Sequence, residues 1–212
     1  MITKETFELY VRTLYADLKK TFNVTWSPKK FVTTMEINPR KDRGWGGVNW
    51  FDYETNTFHL QLQLFGFSKK EQSFKILNEL FGNVVIHELL HFFIPPVQDN
   101  SCWSEGVTDF MTFWYTHAIE QNLAKVIKEY KEIDDEAYKQ HKYGYYTGLK
   151  KMAALYFADQ SVLGDMRRII TDFNKNLEAK KDAWTAADIV AYNPKFKTFF
   201  GGRCNQHVAH EL

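Results

Sequence analysis

His87, Glu88 and His91 stand in the order His-Glu-Leu-Leu-His, and Trp103-Ser104-Glu105-Gly106 follows after a short connection. On an α-helix, residues four apart lie about 40° apart around the axis, so imidazoles at 87 and 91 face the same way and can share one metal ion. Glu88 is turned about 100° from His87 and flanks such a metal, where a carboxylate can take a proton from a coordinated water. A catalytic zinc ion takes three protein ligands and keeps one position open, so two histidines leave one ligand to be found. Glu105 is the candidate. Asp109, four residues further on, is placed to accept the free ring N–H of a ligating histidine.

These residues need two helices to carry them. Ser68-Lys69-Lys70-Glu71 has the form of a capping box, and Phe74, Leu77, Phe81, Val84, Val85, Leu89 and Phe92 follow at helical spacing. Pro95-Pro96 cannot continue that helix, which is expected to end just after His91. A second helix is expected from near Ser104 through Val107, Phe110, Met111 and Trp114, with Glu105 in its first turn.

At these positions the chain resembles the gluzincin metallopeptidases, the aminopeptidase N-like and glycyl aminopeptidase-like enzymes among them. Those families carry H-E-x-x-H followed by a tryptophan-containing segment ending Glu-Gly. The resemblance implies that His87, His91 and Glu105 bind one Zn2+ and that Glu88 is the general base. It also implies an α+β, thermolysin-like zincin fold, with a small mostly antiparallel sheet, a larger helical lobe and the zinc in the cleft between them. Trp103 lies two residues before Glu105, whereas the family tryptophan more often lies three before. The metzincin alternative fails, because Val97 stands where its third histidine belongs.

Two further segments extend the resemblance, which covers roughly residues 45 to 175. Tyr143-Gly144-Tyr145-Tyr146-Thr147-Gly148 is similar to a Tyr-x-Lys-Gly segment of the aminopeptidases, which implies that the Tyr145 hydroxyl stabilises an oxyanion. Thr147 replaces the lysine, Tyr143 and Tyr146 are alternatives, and half-buried packing is the plainer role for such a cluster. Upstream, Trp50 to Glu54 and Thr57 to Phe65 read as a hairpin around Thr55-Asn56. In gluzincins the last strand before the zinc helix is an edge that pairs with extended substrate, which implies Leu60, Gln61 and Leu62 as substrate-binding residues. An ordinary sheet strand with Gln61 and Gln63 facing water is the alternative. Gly46-Gly47-Val48-Asn49-Trp50 looks similar to the aminopeptidase Gly-x-Met-Glu-Asn motif. Asn49 sits where a glutamate would anchor a substrate's amino terminus, and it carries no charge. A zinc-dependent endopeptidase acting on peptides or proteins is therefore expected; an aminopeptidase, or a zinc-binding scaffold without hydrolytic activity, is the alternative.

Composition sets the bounds. A chain of 212 residues is long enough for one domain with its own core, here expected as a helix-plus-sheet lobe over 1–67 and a zinc-helix and helical lobe over 68–212. The net charge of +1 gives no footprint for nucleic acid or an anionic membrane surface. No run of about 18 apolar residues and no basic leader followed by an apolar stretch occurs, which reads as a cytoplasmic protein. Cys102 and Cys204 make no disulfide framework; Cys102 is expected as a small buried hydrophobe or a competing metal ligand. Other expected elements are a helix over 3–21, a strand near Phe31 to Ile37, helices at Leu149 to Phe157 and Met166 to Phe173, and a capping box at Thr185.

Overall fold

The protein is described from a computed structural model, which describes residues 3–38, 44–66, 82–98, 100–182 and 184–201. The expected helix start at Ser68 and Cys204 both lie outside these residues. In chain order the elements are α1 (Lys4–Thr21), β1 (Lys30–Asn38), β2 (Gly44–Asp52), β3 (Thr57–Phe65), α2 (Gly82–Phe93), a π-helix (Cys102–Val107) and α3 (Thr108–Tyr115). They continue as α4 (Ile119–Lys131), α5 (Glu136–Ala158), α6 (Val162–Phe173), α7 (Leu177–Lys181), α8 (Ala186–Tyr192) and α9 (Phe196–Phe200). The architecture is mixed α+β. No helix among the described residues is long and apolar enough to cross a membrane.

The chain divides into two compact units, Met1–Phe93 with Phe173–Lys181, and Ile94–Asp172 with Asp182–Leu212. The H-E-x-x-H helix is grouped with the sheet in the first of them.

In the first unit, α1 starts at a reciprocal cap: the Thr6 N–H donates to the Thr3 hydroxyl at 3.2 Å and the Thr3 N–H to the Thr6 hydroxyl at 2.8 Å. Its buried stripe, Phe7, Val11, Tyr15 and Leu18, follows the helical period. β3 alternates as its sequence requires, with Phe58, Leu60, Leu62 and Leu64 all buried. The hairpin joining β2 to β3 turns where Asn56 takes φ 53°, and the Asp52 carboxylate accepts the N–H groups of Glu54 and Thr55 at 2.9 and 3.1 Å.

The sheet order is β1-β3-β2, with β1 parallel and β2 antiparallel to β3. Two expectations are corrected here. The sheet is mixed rather than mostly antiparallel, and β3 is its central strand rather than an edge. Period-2 alternation fixes which face of a strand is buried but carries no information about its lateral neighbours.

In the second unit, α5 packs on the π-helix, α3, α4 and α9. It runs unbroken through Tyr143 to Gly148, so these residues lie within a helix rather than ahead of one. The expected cap at Thr185 forms, its hydroxyl accepting from the Asp188 N–H at 3.3 Å while the Thr185 N–H donates to the Asp188 carboxylate at 2.7 Å.

Candidate metal centre

The H-E-x-x-H helix is held by its apolar side. Val85, Leu89, Leu90 and Phe93 are buried, and His87, Glu88 and His91 lie half-buried on the remaining surface. Phe92 anchors the last turn in an aromatic cluster, its ring centroid 4.7 Å from Phe58, 5.2 Å from Phe51 and 5.9 Å from Trp26. The final carbonyls of a helix have no intrahelical partner. Here the Asn174 amide donates to the Phe93 carbonyl at 2.7 Å, and the Lys180 ammonium donates to that of Phe92. Lys180 is only 3% exposed and lies over the rings of Phe92 and Phe173 at 3.9 and 4.1 Å. Burial pushes its pKa well below the ordinary lysine value.

His87 and His91 are brought together as their spacing requires. Their Nε2 atoms stand 2.9 Å apart and their rings are nearly perpendicular, with centroids 4.5 Å apart. Tetrahedral zinc with Zn–N bonds of 2.0–2.1 Å holds two ligand nitrogens roughly 3.3 Å apart, so this pair needs only a few tenths of an ångström of adjustment to share the ion.

Glu88 points from the same helix toward β2. The Asn49 side-chain amide donates to its Oε2 at 2.6 Å, and Gly47, two residues earlier on the same strand face, lies against its stem. Asn49 thus holds a carboxylate instead of offering one. Leu60 and Leu62 are buried in β3, and Gln61 extends toward Glu36, its amide 3.3 Å from that carboxylate. With β1 and β2 on its two sides, β3 offers no backbone edge, so the expected substrate pairing at Leu60, Gln61 and Leu62 is corrected. Among the described residues β1 and β2 each have a partner on one side only.

In the second unit, Glu105 sits half-buried on the π-helix, where an ordinary α-helical turn was expected. Such wide turns occur often at functional sites. Trp103 fixes the approach to Glu105: it is fully buried, donates its indole N–H to the Pro95 carbonyl at 2.9 Å, and stacks on Phe200 at 5.5 Å. Cys102 beside it is buried and disulfide-bonded, which removes it as a competing thiolate ligand. Gly106 meets Gly148 of α5 so closely that a Cβ on Gly106 would lie 2.3 Å from the Gly148 Cα.

Asp109 and Tyr145 share the wall of a cavity of about 370 Å³, together with Tyr130, Lys142 and Tyr146. Tyr146 is stacked face to face on Tyr130 at 4.0 Å, and Tyr143 is 41% exposed. Lys142 lies over the Tyr145 ring at 4.4 Å. Sequence reasoning did not find Gly47, Lys180 or Asn174 as supports of the site. The first was read only as part of a motif-like segment, and the last two lie some 80 residues beyond the helix they cap. The chain matches no family model, no curated protein and no solved structure.

Proposed function

We propose that this protein is a zinc-dependent metallopeptidase in which His87, His91 and Glu105 hold one zinc ion. The observation that carries this reading is the His87–His91 pair with Glu88 on the same helix. Glu105 is supplied as the third ligand by the sequence pattern, the Glu-Gly that follows the H-E-x-x-H segment. Two neutral imidazoles and one carboxylate are a donor set that catalytic zinc takes readily.

Zinc in such a site supplies Lewis acidity, polarising a carbonyl and lowering the pKa of a water. The chain's own groups do the rest. Glu88 takes the proton of the attacking water on its carboxylate and passes it to the leaving amine. The Tyr145 hydroxyl donates to the developing oxyanion, with Asp109 beside it in the cavity wall. A peptide lies extended along the open edge of β2, taking the strand-addition role first expected of β3. Because Asn49 is uncharged and its amide is engaged by Glu88, no carboxylate of β2's motif stands ready for a substrate's ammonium, which favours an endopeptidase.

Metal analysis of protein purified without chelators should give close to one zinc per chain, and His91→Ala should lose it. Cleavage of a defined set of tetradecapeptides, followed by mass spectrometry, should be indifferent to amino-terminal acetylation and absent in Glu88→Gln, which should still bind zinc. A wild-type protein free of metal, or a Glu88→Gln variant with full turnover, refutes the reading.

A further inference from the structure

We infer that Asn49 and Gly47 are positioning residues for the Glu88 carboxylate, fixing which of its oxygens is free to accept a proton. This deepens the proposed hydrolytic reading and rests on it.

The two residues lie on the same face of β2, because alternate residues of a strand point the same way, and that strand packs against α2. The Asn49 amide nitrogen is 2.6 Å from Glu88 Oε2, a charge-assisted bond to one oxygen only. A carboxylate can only accept, so the amide must present its nitrogen. Gly47 controls the other end of the side chain. A Cβ there would lie 2.3 Å from the Glu88 Cγ and 2.8 Å from both Cδ and Oε1. Any larger residue at 47 therefore drives the stem of Glu88 out of its present rotamer. Between them, Asn49 occupies Oε2 and Gly47 leaves room for Oε1, so the carboxylate is held as a base with one oxygen engaged and one presented. The flanking residues on the opposite face, Val48 and Trp50, are 46% and 47% exposed, so these contacts belong to one face of β2. A glutamate side chain otherwise has several rotamers to explore, and an ångström of misplacement at a reacting group costs about a hundredfold in rate.

The experiment is a double-mutant cycle of Asn49→Ala and Glu88→Gln, with Gly47→Ala as an independent second variant. Each protein is assayed for zinc content, for thermal unfolding, and for turnover of whichever tetradecapeptide the wild type cleaves. Asn49→Ala and Gly47→Ala should keep one zinc per chain and an unchanged KM while kcat falls roughly tenfold to a hundredfold. In the Glu88→Gln background, where no turnover is left to compare, Asn49→Ala should cost less stability than it does in the wild type, because its hydrogen bond is to Glu88. The unfolding midpoints should therefore be non-additive, a readout that needs no substrate. Zinc bound and peptide cleaved, but wild-type kcat in Asn49→Ala, overturns the positioning role and leaves the metallopeptidase reading standing. So do additive unfolding shifts. Wild-type protein without zinc and without cleavage overturns both.

Discussion

Gly148 lies against the backbone of the π-helix, and replacing it tests how Glu105 is carried. A Cβ on Gly148 would stand 1.9 Å from the Cys102 carbonyl oxygen and 2.8 Å from the Gly106 Cα. Ordinary contact begins at 3.4 Å, so Gly148→Ala requires α5 and the π-helix to part by 3.4 − 1.9, or 1.5 Å. Both sides are backbone, so no side-chain rotamer can absorb the shift. Overpacking of this kind costs about 1–3 kcal/mol, and the rigid partners argue for the upper end. In a protein of this size each kcal/mol lowers the melting temperature by roughly 2–4 °C, which gives a fall of about 6–12 °C. Gly164→Ala in α6 is the internal comparison. Its added Cβ meets nothing within 4 Å, so the better helix former should leave stability unchanged or raise it by up to about 1 kcal/mol. Scanning calorimetry of the two variants reads both values. Because Glu105 adjoins Gly106, zinc affinity should fall with Gly148→Ala and stay unchanged with Gly164→Ala. A Gly148→Ala protein that melts within about 1 °C of wild type would refute the close approach and with it the account of how Glu105 is fixed.

Three further outcomes are expected. Burial holds the folded pKa of Lys180 well below its ordinary 10.5, so between those two values the unfolded chain binds the extra proton and stability should rise with pH. Urea unfolding at pH 7.5, 8.5 and 9.5 should show that rise in wild type and a flatter profile in Lys180→Met; equal slopes would remove Lys180 as its source. These points stay below pH 10, where Tyr15 and Tyr192, both pushed up by burial and Tyr192 to about 12, begin to act in the opposite sense. Trp103→Ala should cost about 3–5 kcal/mol, since the ring is fully buried between Pro95 and the aromatic residues of α9, and chemical denaturation measures it directly. Thr185→Ala should cost about 1 kcal/mol through loss of the α8 cap, with the effect confined to hydrogen-exchange protection around residues 186–192.

The parts of the fold legible in the sequence are those set by local periodicity or a local cap. The face of α2 carrying His87, Glu88 and His91, the alternation of Phe58 to Leu64 and the Thr185 box all appear where spacing put them. What was not legible depends on residues distant in the chain. The resemblance implied an edge for β3, yet the Gln61 and Gln63 amides lie 3.3 and 3.4 Å from Glu36 on β1, on a central strand with a neighbour on each side. Lys180 stands beside Lys181 and looks like a solvated pair, but only Lys181 reaches water and an ordinary partner in Glu178, while Lys180 turns inward to cap α2. The π-helix leaves no trace in apolar spacing, because six residues are too few to separate a period of 3.6 from a wider turn.

A glycine in a sequence reads first as punctuation, because its conformational freedom suits turns and breaks. In the structure Gly47 lies inside a strand and Gly106, Gly144 and Gly148 inside helices, and none of them has a positive φ. Each is instead a place where a missing Cβ lets something approach: Glu88 at Gly47, Ser101 at Gly144, and α5 against the π-helix at Gly106 and Gly148. Gly66, the one described glycine with positive φ, follows directly on β3, where a turn residue belongs. Without the chain folded there is no way to tell a glycine chosen for φ from one chosen for volume. Of these, Gly47 borders Glu88 and the Gly106–Gly148 contact adjoins Glu105, the two carboxylates on which the proposed chemistry depends. The substitutions Gly47→Ala and Gly148→Ala therefore probe base and ligand separately, the first expected to spare zinc and slow turnover, the second to loosen zinc itself.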